Sequence, residues 1–486
     1  MKQRKSLLTE PLGLFGWKTL EPVILAALAT ELPMLLVGKH GSAKSFLLER
    51  LAESLNLNFR SYNASLINYD DLVGIPIPAN NNTTLEYISN PNSIWDAEVV
   101  FIDEINRTKP EFQNKLFPII YDKRVQGQKL EKLKYRWAAM NPSFSDEEEE
   151  DNLIYFGAMP LDPALSDRFP FIIEVPEWDS LSKEDRKKML YDADKGRHEF
   201  PVDIKELVDK VKAKIKEISV SKQEEISNYI LALMDVLKGS LGYISARRAT
   251  MFQETLIAIY ASMLVLGEYT GDVPTLDDSV YLHIQTSLPF IVNQRIERRL
   301  LLTVAARSLK IAQIGDAITR KLLLTTDPLK QIKFAVVNRI AIEAETLSEV
   351  ITSSISRLST HKRRAMALIS YLVFKENKDI YATVIETLAI EVRPVFETRR
   401  VDIMEEARVK VLADHIDTLM SGVDENENYY KYLNNLLYSF LLPRTSQSFY
   451  SNEEIDILFH FFIEIWKELV EWEDLEIAEL FLKSIN

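Results

Sequence analysis

A short apolar run, Leu35-Leu36-Val37, follows Pro33 and leads straight into Gly38-Lys39-His40-Gly41-Ser42-Ala43-Lys44-Ser45. Behind it, Leu47, Leu48, Leu51 and Leu55 fall at helical spacing, which predicts an amphipathic helix from Phe46 to Leu55. Strand, glycine loop, Lys-Ser and helix in that order make a phosphate loop. The order restricts the fold, because a buried strand must deliver its C-terminal end to a helix N-terminus. Successive backbone N–H groups and the helix start then face one point and hold an anion. The candidate nucleotide contacts are therefore Gly38, His40, Gly41, Ser42, Ala43, Lys44, Ser45 and Phe46. Lys44 would reach the β- and γ-phosphates and the Ser45 hydroxyl would ligate Mg²⁺. Ala43 stands where a glycine usually precedes the lysine. The loop tolerates it if that residue already has the ordinary φ and ψ of the helix's first turn.

Val99-Val100-Phe101-Ile102 forms a second apolar run, and it ends in Asp103-Glu104. A buried strand that presents two carboxylates at its C-terminal end is a Walker B arrangement, and open α/β sheets bind ligands at that edge. Asp103 would hold Mg²⁺ largely through water, since Mg²⁺ keeps several of its waters. Glu104 would orient and deprotonate an attacking water.

The rest of the composition fits an α/β nucleotide domain with many helices added. Only 14 of 486 residues are Gly, about 3% against a usual ~7%, which disfavours a turn-rich β fold. Cys is absent, so disulfides, thiolate catalysis and Cys-ligated zinc or iron–sulfur sites are excluded. The balance of 58 Lys+Arg against 72 Asp+Glu, net −14, speaks against a protein that coats duplex nucleic acid. No apolar run reaches the ~20 residues of a membrane span, and Leu256–Leu266 reads as a core helix. The N-terminus lacks a long apolar stretch and a cleavage site, so no signal peptide is expected and the expected location is cytoplasmic.

The string Asp103-Glu104-Ile105-Asn106-Arg107 resembles the DEINR signature of MoxR-type AAA+ ATPases, and Gly41-Ser42-Ala43-Lys44-Ser45 is similar to the G-x-A-K-[ST] loop of the MoxR/RavA group. Tyr69-Asp70-Asp71-Leu72-Val73-Gly74 resembles the family's D-[LI]-x-G stretch. Arg136 to Pro142 looks like a strand ending in Asn-Pro at sensor 1, which implies that Asn141 senses the γ-phosphate or the lytic water. Leu161-Asp162-Pro163-Ala164-Leu165-Ser166-Asp167-Arg168-Phe169 resembles L-P-E-A-x-x-D-R-F, which places Arg168 as an arginine finger acting on a neighbouring subunit. Tyr243-Ile244-Ser245-Ala246-Arg247-Arg248 looks like the sensor 2 element, with Arg247 the better match and Arg248 a rival.

The resemblance spans about residues 12 to 295. It implies an α/β nucleotide-binding domain over 1–175 and a helical lid over 176–297. A helical C-terminal region over 298–486, where the resemblance stops, would bind the client or partner. Asn58–Ser61 reads as a second strand and Phe169–Val175 as a fifth. Arg124–Tyr135 reads as a hairpin with Gly127 at its turn, and this hairpin and the Ile75-Pro76-Ile77-Pro78 stretch with its Asn80–Asn82 tip would face a central pore, a solvated loop being the equal alternative for the tip. In the lid, Ala249–Leu266 reads as an apolar helix, and Thr275 as the N-cap of the next one. The acidic run Asp146–Asp151 reads as a solvated loop. Phe334–Leu358, Arg363–Phe374 and Asp379–Ile390 read as helices, and Leu458, Phe461, Phe462, Ile465, Trp466, Leu469 and Trp472 as a core-packing face.

The six His are dispersed, and neither an H-E-x-x-H nor a G-x-S-x-G string occurs. A von Willebrand A metal motif is also missing, so a partner of that type would be a separate chain. The expectation is a MoxR-like ATPase that hydrolyses MgATP at the interfaces of an oligomeric ring, a hexamer, to remodel or activate a protein partner. Two other classes compete with it. A nucleic-acid-linked defence or restriction NTPase would show nucleic-acid-stimulated turnover. A nucleotide-gated scaffold without hydrolysis would be expected to have lost Glu104, Asn141 or Arg168.

Overall fold

The computed structural model describes residues 6–78, 85–88, 91–143, 159–192, 200–242, 244–375, 380–397, 407–441 and 450–470. The chain divides into two compact units, Met1–Gln313 and Ile314–Asn486.

In the first unit α1 (Glu21–Thr30) precedes β1 (Met34–Val37), and α2 (Lys44–Ser54) leaves the glycine loop. β2 (Phe59–Asn63) and α3 (Tyr69–Val73) lead to an antiparallel hairpin of β3 (Ile75–Pro78) and β4 (Leu85–Ile88). Its Asn80–Asn82 tip, like the Asp146–Asp151 run, lies outside the described residues. β5 (Val99–Asp103) and α4 (Pro110–Phe117) follow, then a small hairpin of β6 (Arg124–Val125) and β7 (Gln128–Lys129) that turns at Gln126-Gly127. β8 (Tyr135–Met140), α5 (Pro163–Ser166) and β9 (Phe171–Glu174) complete the α/β part.

Five strands form one parallel sheet in the order β2-β5-β8-β1-β9. The apolar runs explain it: strands covered by helices on both faces read as continuous Val, Ile and Leu rather than as alternation. Leu35, Val37, Val100, Ile102, Ala138, Met140 and Ile172 belong to one core cluster. In register, Val37 lies opposite Met140 and Glu174, and Asn63 opposite Asp103. The strands therefore end together, and the residues just beyond them meet at one edge.

Among the described residues, six α-helices follow: α6 (Lys183–Asp192), α7 (Ile204–Ser221), α8 (Gln223–Ser240), α9 (Ala246–Thr270), α10 (Leu276–Thr286) and α11 (Arg298–Ala312). α9 is long and apolar enough to cross a membrane, but 67% of its apolar window is buried inside the protein, against α1, α7, α8 and α10. Thr275 caps α10 by accepting from Asp278 N–H, and Asp278 returns the bond to the Thr275 N–H. The first unit continues through α11, which packs on α8 and α10.

His283 on α10 is fully buried beside Thr255 Oγ1 at 3.0 Å. Burial, and next the Arg248 charge, hold its imidazole down to about 3. An unfolded chain protonates this His near 6.5, so the folded state binds fewer protons between those values. Its contribution is complete above pH 6.5 and is lost as pH falls towards 3. Between pH 7 and 4.5 the loss is expected to be about 2–3 kcal/mol. Urea unfolding across that range checks it, and His283→Phe should flatten the slope.

The second unit is helical: α12 (Ala317–Leu324), α13 (Pro328–Val337), α14 (Ala344–Ser356), α15 (Thr360–Phe374), α16 (Ala382–Glu397), α17 (Ala407–Met420), α18 (Tyr430–Tyr438) and α19 (Asn452–Val470). The Phe334–Leu358 pattern is split between α13 and α14. Asn338 Nδ2 donates to Phe334 O and stands at the break, where a side chain competes with the helix ladder. On α19, Phe462 and Trp466 are buried and stack against each other, and Tyr429 and Tyr432 pack on Trp466. Of the expected core face, Leu458, Phe462, Ile465 and Trp466 are buried and Phe461 is half-buried; Trp472 lies outside the described residues.

Candidate active site

The loop between β1 and α2 closes tightly on the sheet. A Cβ on Gly38 would lie 2.2 Å from Val175 Cγ2, so only glycine fits there. Ala43 has φ 61° and ψ 23° at the N-cap of α2. This corrects the expectation of ordinary helical φ and ψ: the loop needs a left-handed residue before Lys44, and Ala supplies it under strain of about 1–2 kcal/mol. Ala43→Gly is expected to raise stability by about 0.5–1 kcal/mol with nucleotide binding unchanged. Thermal unfolding with and without ligand checks it.

Lys44 is buried, and its Nζ donates to Gly38 O (2.7 Å), Lys39 O (2.8 Å), Ser42 Oγ (3.3 Å) and Asn141 Oδ1 (3.3 Å). Burial lowers its pKa, while Asp103, Glu104 and Glu177 oppose the shift. Asn141, one residue past β8, thus meets the loop directly. Ser45 Oγ donates to Asp103 Oδ2 at 3.1 Å. These two oxygens, one on α2 and one at the end of β5, suit a hard cation that binds oxygen ligands.

Glu104 has φ 53°, a left-handed residue that is not glycine. Its Oε2 accepts from Asn63 Nδ2 and Ser65 Oγ, both at 3.2 Å, and its Oε1 pairs with Arg107 Nη1 at 3.2 Å. Asn106 is buried and its Nδ2 donates to Asn141 O at 3.0 Å, which fixes the end of β8. Asn63 and Ser65 were not singled out from sequence, and Asn106 and Arg107 were named only within the DEINR-like string, without a role. The register of β2 on β5 sets Asn63 beside Asp103, and no pattern within either strand reveals that.

Gly38, Gly41, Ser42, Ala43, Lys44, Ser45, Asp103, Glu104 and Asn141 therefore gather at the C-terminal edge of β1, β8 and β5. His40 is exposed and lines a cavity of about 290 Å³ beside the loop. Phe46 is partly exposed under the Arg50 guanidinium.

Arg168 and Arg247 stand apart from this group. Arg168 Nη1 donates to Ala164 O, and its guanidinium lies 4.3 Å from the Phe117 ring centre. Arg247 is exposed and lies over Tyr121 at 5.2 Å. The two are neighbours: burial first, and next the Arg247 charge, lower the Arg168 pKa. Arg248 is fully buried, donates to Phe169 O and Ser166 O, and pairs with Asp167 at 3.4 Å. Ser245 Oγ also donates to Asp167. Of the two sensor 2 rivals, Arg248 is thus consumed in docking α9, and Arg247 keeps a guanidinium exposed.

Residues 33–169 match the family model described as AAA domain (dynein-related subfamily). A solved structure described as a "putative ATPase" from Cytophaga hutchinsonii is similar over 62% of this chain and 92% of its own, at 20% identity and a TM-score of 0.42. No curated protein matches the chain. The matched stretch contains the glycine loop, the acid-tipped strand and Asn141, and the parallel sheet between helices, with further helices after it, has an AAA+ fold.

Proposed function

We propose that this protein is a MoxR-like AAA+ ATPase that hydrolyses MgATP at the subunit interfaces of a ring, a hexamer, in the cytoplasm. The observation that carries the reading is the meeting of Lys44, Ser45, Asp103, Glu104 and Asn141 at one sheet edge. Loop N–H groups and the α2 N-terminus would hold the phosphates, and Lys44 would turn its ammonium from the loop carbonyls to the β- and γ-oxygens. Mg²⁺, when bound, neutralises phosphate charge; Ser45 and Asp103 are the residues that would hold it. Glu104 would take the proton of the attacking water, and Asn141 would orient that water or the γ-phosphate.

Arg168 would reach the ATP of a neighbouring subunit, and Arg247, on the same exposed face, would act with it. The second unit would choose a protein client, which the turnover would remodel or activate; a separate von Willebrand A domain protein is one such partner. The test is MgATP turnover by the purified chain against its concentration. The reading predicts a rate per subunit that rises cooperatively with concentration. A rate per subunit independent of concentration would sink the shared-interface part, and no turnover at any concentration would sink the ATPase.

A further inference from the structure

The cavity beside the phosphate loop is lined on one side by Lys39 to Ala43 and on another by Phe15 and Trp17. Those two aromatic residues come from a segment with no regular structure, residues 6–17, which precedes α1 and is buried over most of its length, Phe15 and Trp17 included. Its apolar side chains pack into the core, and a buried carboxylate fixes its first turn as well. Glu21, the first residue of α1, is 4% exposed. Its Oε1 accepts from Leu8 N (3.0 Å), Thr9 N (2.8 Å), Thr9 Oγ1 (2.9 Å) and Ser6 Oγ, and its Oε2 accepts from Leu7 N (3.3 Å).

A carboxylate that collects three successive backbone N–H groups and two hydroxyls fixes the path of the segment that carries them. Two further contacts carry that order to the cavity. A Cβ on Gly16 would lie 2.2 Å from Leu181 Cδ2, so the segment presses directly on a cavity-lining residue. Glu10 pairs with Lys188 at 3.2 Å, on the helix that also supplies the cavity's Met189.

We propose that Glu21 is a positioning residue for the nucleoside end of the nucleotide: it holds the Phe15–Trp17 wall in place to receive the base, without touching the ligand. This rests on the nucleotide reading above. A base-bearing ligand should feel Glu21, and a ligand with phosphates alone should not.

The experiment titrates MgATP and inorganic tripolyphosphate into the full chain by calorimetry. Glu21→Leu removes every acceptor and is expected to raise the MgATP Kd at least about ten-fold while the tripolyphosphate Kd stays within about two-fold. Glu21→Gln keeps an oxygen at the Oε1 position and is expected to stay near wild type for both. In turnover, Glu21→Leu should raise KM with kcat retained, as loss of uniform binding does. Equal weakening of both ligands would make Glu21 a general structural residue and overturn the proposal; so would an unchanged MgATP Kd.

If Glu21→Leu does not fold, the Ser6→Ala/Thr9→Val double variant removes the two hydroxyl donors and leaves the carboxylate. It should show the same selective loss, about two- to five-fold, and no selective loss would overturn the assignment. Wild-type chain that binds neither ligand would overturn the nucleotide reading itself. A wild-type chain that binds both, and loses both in Lys44→Ala, separates the two failures.

Discussion

Glu104→Gln is expected to bind MgATP with wild-type affinity and to turn it over roughly 10²–10⁴-fold more slowly. The amide matches the carboxylate in shape but accepts no proton from water. It also keeps an oxygen for Asn63 and Ser65, which hold this side chain at 3.2 Å in the structure. The loop, Ser45 and Asp103 are untouched, so binding and chemistry separate. Equilibrium binding of a labelled ATP beside steady-state phosphate release checks both halves. A variant with near-wild-type turnover would remove Glu104 from the reaction. One that no longer binds would mean that the Glu104–Arg107 pair supports the fold of the site rather than its chemistry.

The second large effect belongs to Arg168. Arg168→Ala is expected to lower turnover by about 10³–10⁵-fold, the range an arginine finger contributes. Among the described residues, Arg168 makes no hydrogen bond or ion pair with Lys44, Ser45, Asp103 or Glu104. Its contacts are Ala164 O and the Phe117 ring, beside Arg247 on Tyr121. The proposed ring would bring it to a neighbouring subunit's ligand. Phosphate release by the variant, at concentrations where the wild type turns over fully, checks it, and turnover within about ten-fold of wild type would remove Arg168 from the reaction.

Much of the fold was legible because its signals are local. The apolar runs before Gly38 and up to Asp103 read as buried strands, since a strand covered on both faces has no other composition open to it. Thr275 and Asp278 wrote the start of α10 as a capping box within four residues. Lys44, Ser45, Asp103 and Glu104 could be named from the motifs that follow such runs, and Asn141 from the resemblance of Arg136 to Pro142 to a sensor 1 strand.

What escaped depended on the third dimension. The left-handed φ of Ala43 follows from how closely the loop closes on Val175, a residue of the opposite end of the domain sequence. Asn63 and Ser65 reach Glu104 only because β2 lies beside β5 in a given register. The hold of Glu21 on residues 6–9 joins positions 12 to 15 apart through a turn that no periodic pattern marks. Sequence favoured Arg247 but left Arg248 a rival; burial beside Asp167 separates them.

The central claim is that one catalytic centre is assembled from two subunits, with Glu104 from one and Arg168 from the next. Complementation tests it most directly. Glu104→Gln and Arg168→Ala proteins, each inactive alone, are mixed in equal amounts and assayed for phosphate release. The account predicts that activity returns in the mixture, because some interfaces then join an intact Glu104 to an intact Arg168. If both variants bind MgATP and co-assemble, yet the mixture stays as inactive as its parts, the two residues do not meet across an interface and the account is wrong.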